Sequence, residues 1–218
     1  MNLLREIADV SKRAYDKNLV AATDGNFSAR GANGAFFITR SGLCKGDATI
    51  RDVIEIDAEG KVVRGSGKAS SESKLHLFLY KRREDARAVA HCHPPYATAF
   101  SMAKESLDRP TLPEVATTIG RIPVCAYAAP STEELATACE PYVEFGNAFL
   151  LENHGAVTIG GNVREAYFRM EKLEHAAKTL FIAKNLGGAR ELTREELDRL
   201  YRVAEESYGA RLHPRNKY

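Results

Sequence analysis

Two histidines separated by a single residue are the feature of this sequence that most clearly indicates chemistry. They lie in the stretch His91–Pro95, which reads HCHPP and follows an apolar, strand-like run. In an extended strand alternate side chains share a face, so His91 and His93 aim at one point while Cys92 points away. Neutral imidazole is a good ligand for zinc and related divalent ions. The pattern therefore predicts a metal chelate at the end of a strand, where the two prolines stop the strand.

Two further residues could complete such a site. His154 lies in the polar cluster Glu152–Gly155 between two apolar runs, and Glu72 follows the serine pair Ser70–Ser71. Three imidazoles and one carboxylate are a donor set typical of an open catalytic metal site. A histidine beside a buried strand is more often a hydrogen-bonded structural residue, so the HCH spacing alone leaves both interpretations open.

The length, composition and net charge of the chain limit the classes of protein to which it can belong. A chain of 218 residues with 44% hydrophobic content can bury one large core, and we expect a single domain over residues 1–218. The net charge is +2, and positive and negative residues are interspersed. This pattern indicates no electrostatic surface field strong enough to bind nucleic acid or a membrane. Binding of a small anionic substrate is compatible with it.

Cysteine usage and the first residues indicate the compartment. The four cysteines, Cys44, Cys92, Cys125 and Cys139, show neither CxxC spacing nor a disulfide framework, which fits a reducing environment. The N-terminus has charges every few residues and no apolar signal-peptide core, and no apolar run approaches membrane-spanning length. We therefore expect a cytoplasmic protein.

Hydrophobic periodicity supplies the elements that must position these residues. It predicts helices over residues 3–17, 71–82 (capped by serine), 95–103, 132–145, 163–185 and 193–208. It predicts short strands over residues 27–30, 35–39, 53–56, 61–63, 148–151 and 156–159, in addition to the strand that carries the HCHPP stretch. The first four strands read as a meander, and residues 104–123 give no clear element.

Taken in order, the motifs resemble the class II aldolase/adducin family, and within it the sugar-phosphate aldolases of the L-fuculose-1-phosphate type. The segments that carry the resemblance are Asp24–Ser28, Thr39–Gly42, Ser70–Glu72 with His76, His91–Pro95 and Glu152–Gly155. Each is weak alone, but their order and spacing over about residues 8–186 are specific. The resemblance implies an α/β fold of three layers, with a central, mainly antiparallel sheet flanked by helices, and a homotetramer with active sites at subunit contacts.

The resemblance also assigns roles by position. It implies a divalent metal, usually zinc and otherwise an ion such as Mn²⁺ or Co²⁺, held by His91, His93 and His154. It makes Glu72 the catalytic acid/base, able to approach the metal as well. It implies that the substrate phosphate is bound by Gly25, Asn26, Ser41, Gly42, Ser70 and Ser71.

The implied reaction is cleavage of a ketose 1-phosphate into dihydroxyacetone phosphate and an aldehyde. Breaking a carbon-carbon bond beside a ketone leaves negative charge that a Lewis-acidic metal stabilises, so no lysine Schiff base is needed. A glutamate that moves a proton in both directions suits a dry pocket, and we expect the pKa of Glu72 to shift toward neutrality.

The chain departs from the family pattern at the aldehyde side of the site. The stretch Leu112–Ala116 has no tyrosine where fuculose-phosphate aldolases carry their proton donor, and Arg40 and Ala69 stand where prolines are frequent. Alternatives are a dehydratase of the methylthioribulose-phosphate type, a sugar-phosphate epimerase, or a non-catalytic interaction domain like the adducin head. For His76 we expect a packing or supporting role, and for His175 a surface position.

Overall fold

The computed structural model describes residues 3–32 and 34–218, so Met1, Asn2 and Asn33 lie outside the described residues. The strands are β1 (Asn26–Arg30), β2 (Phe36–Thr39), β3 (Val53–Ile56), β4 (Val62–Arg64), β5 (Ala88–Cys92), β6 (Val124–Cys125), β7 (Ala148–Leu151) and β8 (Gly155–Gly160). The α-helices are α1 (Leu3–Asp16), α2 (Ser73–Arg82), α3 (Pro95–Met102), α4 (Pro113–Thr118), α5 (Glu133–Thr137), α6 (Glu140–Val143), α7 (Val163–Asn185) and α8 (Arg194–Tyr208). Single 3₁₀ turns occur at Lys45–Asp47, Ile50–Asp52 and Pro214–Asn216.

The strands form one sheet in the order β4-β3-β2-β1-β5-β8-β7-β6. Neighbouring strands are antiparallel except β6 and β7, which pair in parallel. The predicted meander of the first four strands is present, and the sheet is mainly antiparallel. Together with the helices on its two faces, it confirms the predicted three-layer α/β fold.

Alternation along the central strands explains the three layers. On β5, Ala88, Ala90 and Cys92 pack into the cluster that contains Leu173 of α7, together with α1 and α3. Val89 between them packs into the opposite cluster, with Leu75 of α2 and residues of α5 and α6. Because side chains alternate, His91 projects to the α2 side of the sheet. Cys92 is therefore a core residue, and it points away from His91, as the strand alternation predicted.

The register of three strands places the site segments at one edge of the sheet. Asn26 at the start of β1 is paired with His91 at the end of β5, and His91 is paired on its other side with Val157 of β8. The turn before β1 and the turn before β8 therefore both flank the HCHPP stretch. Residues more than sixty positions apart in the chain meet here through backbone pairing.

Four details differ from the sequence-based prediction. The helix predicted over 132–145 is two short helices, α5 and α6, because Pro141 lacks an N–H and its ring would clash with the carbonyl of Thr137. Residues 104–123, which gave no clear element from sequence, contain α4, and the two-residue strand β6, which was not predicted, follows directly. Strand β5 ends at Cys92, one residue before His93, although the strand was predicted to continue to the prolines. Helix α2 begins at Ser73 with Glu72 as its N-cap residue, not a serine.

No helix within the described ranges combines the length and the apolar composition needed to cross a bilayer.

Gly25 is predicted to be essential to the packing of β1 against β5. Its φ is +72°, and a Cβ atom there would lie 2.9 Å from the backbone oxygen of His91 and 2.5 Å from Val20 Cγ1. Gly209 has a similar φ of +63°, but a Cβ added to it would meet no described atom within 4 Å, so it serves as a matched control. We expect Gly209→Ala to lower the free energy of unfolding by about 1 kcal/mol through backbone strain alone. Gly25→Ala should cost roughly 2 to 4 kcal/mol because overpacking adds to the strain.

Urea denaturation of the two variants measures the difference. Equal losses of stability would show that the close approach of β1 to β5 does not require glycine at position 25.

Candidate functional site

The three histidines singled out from the sequence form a triangle with nearly equal sides. The ring centroids of His91 and His93 are 4.9 Å apart, those of His91 and His154 are 4.7 Å apart, and those of His93 and His154 are 4.9 Å apart. One nitrogen from each ring lies within 4.8 Å of the other two. Imidazoles from two separate segments of the chain thus face a common centre, and the three could hold a metal ion.

A backbone contact fixes the orientation of the His91 ring, and a carboxylate lies near the outer nitrogen of the His93 ring. Nδ1 of His91 donates to the backbone oxygen of Ala156 at 3.0 Å, which turns Nε2 toward the centre. The backbone N–H of His93 donates to the oxygen of Leu19 at 3.0 Å, and its Nδ1 lies 3.6 Å from Asp24 Oδ2. A hydrogen bond on the outer ring nitrogen is the usual way in which proteins orient a metal-binding histidine.

A tight turn delivers the third ring. His154 ends a three-residue connection between β7 and β8, in which Asn153 adopts a φ of +56°. A Cβ at the next residue, Gly155, would lie 2.5 Å from the backbone oxygen of Cys92 and 2.7 Å from Cδ2 of His93. Only glycine allows the turn to approach the HCHPP stretch this closely, which gives the HG pair in the sequence a physical reason.

Glu72 reaches the triangle from the N-terminus of α2. The residue is 7% exposed, with Oε2 2.8 Å from Nε2 of His91 and Oε1 3.1 Å from Nε2 of His154. Nδ2 of Asn26 donates to the same Oε2 at 3.2 Å. As the N-cap residue, the carboxylate also lies at the positive end of the helix dipole. Strand β1 and helix α2 thus hold the acid in place together.

The donor set fits a divalent cation. Because Nδ1 of His91 carries its proton toward Ala156, Nε2 of a neutral His91 presents a lone pair. That lone pair lies 3.0 Å from Nε2 of His93 and 2.8 Å from a carboxylate oxygen of Glu72. Nδ1 of His154 is buried and has no hydrogen-bond partner in the described chain. Acceptor atoms this close repel one another unless a proton or a cation lies among them, and imidazole with carboxylate is a zinc-type donor set.

The pKa shifts of Glu72, His91 and His93 also reflect how close these groups are to one another. Burial alone would raise the pKa of Glu72, but the adjacent His91 and His154 outweigh burial and hold that pKa well below its usual range. Burial likewise would lower the pKa of His91, yet Glu72 raises it. Burial and, to a smaller extent, the neighbouring imidazoles of His91 and His154 together lower the pKa of His93 to about 3. The expected shift of Glu72 toward neutrality is therefore wrong for this arrangement, because the sequence did not show that two imidazoles would face the carboxylate.

Beside the triangle lies an open cleft of about 430 Å³. All six predicted phosphate-binding residues line it, together with Glu72, His93 and His154: these are Gly25, Asn26, Ser41, Gly42, Ser70 and Ser71. The backbone N–H groups of Gly42 and Ser71 donate to no acceptor within the described chain. The cleft therefore brings together free amide donors and hydroxyls next to the candidate metal ligands. The assignment of these residues to a phosphate group remains a prediction.

The cleft also contains residues that sequence reasoning missed. Lys45 lines its wall, as do the side chains of Arg40 and Ser131. Lys45 follows the Ser41–Gly42 turn within a single 3₁₀ turn, and nothing in its sequence context distinguishes it from a surface lysine. Arg40 was noted only as a departure from proline.

Three other residues considered from sequence lie outside the triangle. His76 is buried, with Nδ1 2.6 Å from the hydroxyl of Ser28, which in turn lies 2.7 Å from the Tyr80 hydroxyl. This network ties α2 to β1 and agrees with the expected supporting role. Glu152 pairs with Lys104 at 2.7 Å beside the third histidine's turn, and His175 is exposed on α7.

Helix α7 holds the segment that follows the histidine pair. The carboxylate of Glu174 accepts hydrogen bonds from the backbone N–H groups of Tyr96 at 3.0 Å and Ala97 at 2.8 Å. These amides belong to the first turn of α3, where no intrahelical acceptor exists. Glu174 thereby caps α3 from a different helix and fixes the path of the chain directly after Pro94.

Comparisons with known proteins agree with this geometry. The profile of the Class II Aldolase and Adducin N-terminal domain matches residues 5–181. An L-fuculose phosphate aldolase of Methanococcus maripaludis is 34% identical over 183 residues, which cover 84% of this chain and 98% of that protein. A 3-oxo-tetronate 4-phosphate decarboxylase of Escherichia coli is 31% identical over 186 residues, covering 83% of this chain and 87% of that protein. A solved structure of an L-fuculose 1-phosphate aldolase is 30% identical with a TM-score of 0.86, covering 93% of this chain and 96% of that one.

Removing one imidazole is expected to abolish metal binding. We expect protein purified without chelators to contain about one divalent ion per chain, and His91→Ala, His93→Ala and His154→Ala each to contain almost none. His76→Ala, a buried histidine outside the triangle, and the exposed His175→Ala should retain the ion. Elemental analysis by plasma mass spectrometry gives the metal content. A wild-type protein free of divalent ions, or a His154→Ala variant with normal content, would contradict the predicted site.

Proposed function

Because the chain belongs to the class II aldolase and adducin family, we propose that it is a divalent-metal-dependent aldolase, a carbon-carbon lyase of carbohydrate metabolism. Its substrate in this proposal is a ketose 1-phosphate similar to L-fuculose 1-phosphate, and its products are dihydroxyacetone phosphate and an aldehyde. The observation that carries the proposal is the meeting of three imidazoles, one buried carboxylate and a cleft of free amide N–H groups at one sheet edge.

The cleft suits the phosphate end of such a substrate. The free N–H groups of Gly42 and Ser71 and the hydroxyls of Ser41 and Ser70 can donate to phosphate oxygens. The first turn of α2, next to Ser71, adds favourable helix-dipole charge. Anchoring the phosphate there leaves the ketone end of the substrate facing the histidine triangle.

The ion that we propose is Zn²⁺, with Mn²⁺ or Co²⁺ as alternatives, held by His91, His93 and His154 and approached by Glu72. Such an ion, when bound, supplies a Lewis acid that stabilises the negative charge left when the bond beside the ketone breaks. The chain contributes the orientation of the rings, through the hydrogen bond from His91 to Ala156 and the glycine-dependent turn at Gly155.

Glu72 is the proposed acid/base. Its carboxylate is buried and deprotonated, and it lies beside the histidines, where the reacting carbons of a bound substrate would lie. Asn26 holds Oε2 by donating to it at 3.2 Å, so the carboxylate keeps one orientation. Glu72 then takes a proton from the substrate in one direction of the reaction and returns it in the other.

A decarboxylase is the second candidate. A relative with that activity covers most of the chain, and the tyrosine that fuculose-phosphate aldolases use on the aldehyde side is absent from Leu112–Ala116. Loss of carbon dioxide from a phosphorylated 3-oxo acid leaves negative charge beside the ketone, as aldol cleavage does. Because decarboxylation forms no aldehyde, it requires no proton transfer at an aldehyde oxygen and therefore no tyrosine at that place. A dehydratase, an epimerase or a non-catalytic adducin-like domain remain less favoured alternatives.

We further propose that residues 1–218 form one domain, and that the protein is a cytoplasmic homotetramer without nucleic-acid or membrane partners. Exposed apolar side chains along α7 support self-association, since exposed groups of this kind are typical of subunit contacts. They are Phe168, Phe181 and Ile182, with Leu186 just beyond the helix.

Product analysis tests the reaction. We expect metal-loaded enzyme to release dihydroxyacetone phosphate from at least one ketose 1-phosphate, measured by coupled reduction with glycerol-3-phosphate dehydrogenase. Release of carbon dioxide from a 3-oxo acid phosphate without triose phosphate formation would favour the decarboxylase. Loss of water or an inverted stereocentre, detected by NMR, would favour the dehydratase or the epimerase.

Replacement of Glu72 tests the proton transfer. Glu72→Gln keeps the shape of the side chain but removes its basicity, so kcat should fall by roughly a hundredfold to ten-thousandfold. The bound metal should remain, because the three imidazoles are unchanged. Glu133→Gln on α5, an exposed carboxylate, is the matched control and should keep full activity. Full turnover by Glu72→Gln would exclude Glu72 as the acid/base.

A further inference from the structure

Lys45 is a buried cation on the wall of the cleft. The residue is 1% exposed, and its Nζ donates to the backbone oxygens of Thr23 and Leu43, each at 2.8 Å. An ammonium group has three hydrogens, and the third has no acceptor among the residues that the structure describes. No carboxylate of those residues lies within ion-pair distance of Nζ.

An ammonium buried in this way is costly unless an anion accompanies it. Burial lowers the pKa of Lys45 to about 8, which Cys92, Asp24 and Cys44 oppose only in part. Two carbonyl oxygens satisfy part of the group but do not balance its charge. A bound anion would supply the balancing charge and the acceptor for the third hydrogen.

Of the two cations that line the cleft, Lys45 is the one without a carboxylate partner among the residues that the structure describes. Arg40 is the other, and its charge is paired with Asp52, with Nε 2.7 Å from Oδ1. Asp24 and Glu72 also line the cleft and would repel an anion. The serine and glycine donors beside them are neutral. A phosphate in the cleft therefore needs a positive charge that those neutral donors do not provide.

We propose that Lys45 is a binding residue for the phosphate of the substrate, donating its free ammonium hydrogen to a phosphate oxygen in the cleft. This assignment rests on the proposed function only for the phosphorylated nature of the substrate. It adds a charged contact to the neutral donors at Gly42 and Ser71, and it places the anion on the side of the cleft bounded by the Lys45–Asp47 turn.

Inorganic phosphate is the probe, and isothermal titration calorimetry of the metal-loaded protein is the measurement. Lys45→Met keeps the length of the side chain and removes its charge, so phosphate affinity should fall roughly tenfold to a hundredfold. Lys45→Arg should retain more affinity than Lys45→Met because it keeps a cation. Lys74→Met, which removes an exposed lysine paired with Glu133, is the control and should bind phosphate as the wild type does. Wild-type affinity in Lys45→Met, or equal losses in Lys45→Met and Lys45→Arg, would overturn the proposal.

A second measurement uses the wild-type protein and does not depend on how the variants fold. Reductive methylation of lysines, followed by peptide mass spectrometry, should be slower at Lys45 when phosphate is present and unchanged at Lys74. Equal labelling of Lys45 with and without phosphate would overturn the proposal. Neither measurement requires turnover. Product analysis can therefore refute the aldolase proposal without affecting the Lys45 proposal, and the phosphate-binding measurements can refute the Lys45 proposal without affecting the aldolase proposal.

Discussion

The backbone pairing of His91 with Asn26 on one side and Val157 on the other is the constraint on which the site depends. It aligns the end of β5 with the starts of β1 and β8, so the turns that precede those strands flank the HCHPP stretch. Glycines make the contact possible, because a Cβ at Gly25 or Gly155 would overlap the backbone of the stretch. The positions of the three candidate metal-binding histidines are therefore set by sheet register together with the tight β7–β8 turn, which suits a site that must keep its geometry.

Electrostatics add a second constraint. Glu72 and the imidazoles of His91 and His154 are crowded at 2.8 to 3.1 Å in a buried place, so their acceptor atoms need a positive charge among them. A cation there would link folding of the three segments to metal binding, because the ligands come from α2, β5 and the β7–β8 turn. The contacts of Asn26 with Glu72 and of Ser28 with His76 hold α2 against β1, and they keep the carboxylate near the rings without a metal.

The site divides into parts with different relations to the reaction. The histidine triangle and Glu72 suit any chemistry that leaves negative charge beside a ketone, and relatives of this chain include both an aldolase and a decarboxylase. The cleft with Ser41, Gly42 and Lys45 suits an anionic end group. The family resemblance implies a third part, on the aldehyde side of the site, and there the chain departs from the fuculose-phosphate aldolases because Leu112–Ala116 contains no tyrosine. Function on this fold thus depends on local residues more than on architecture.

The sequence by itself determined the long helices and the four-strand meander through hydrophobic periodicity, and its motif order and spacing carried the family resemblance that implied the mainly antiparallel sheet and the three converging histidines. The predicted helix over 132–145 ran through Pro141, so the break between α5 and α6 was missed, and the short parallel strand β6 was missed because two residues carry too little periodic signal. Sequence reasoning also gave the wrong direction for the pKa of Glu72 and missed Lys45. Only the tertiary structure decided those points. A pKa and the burial of a charge depend on side chains that are far apart in the sequence but close in space, and the local sequence does not specify those contacts.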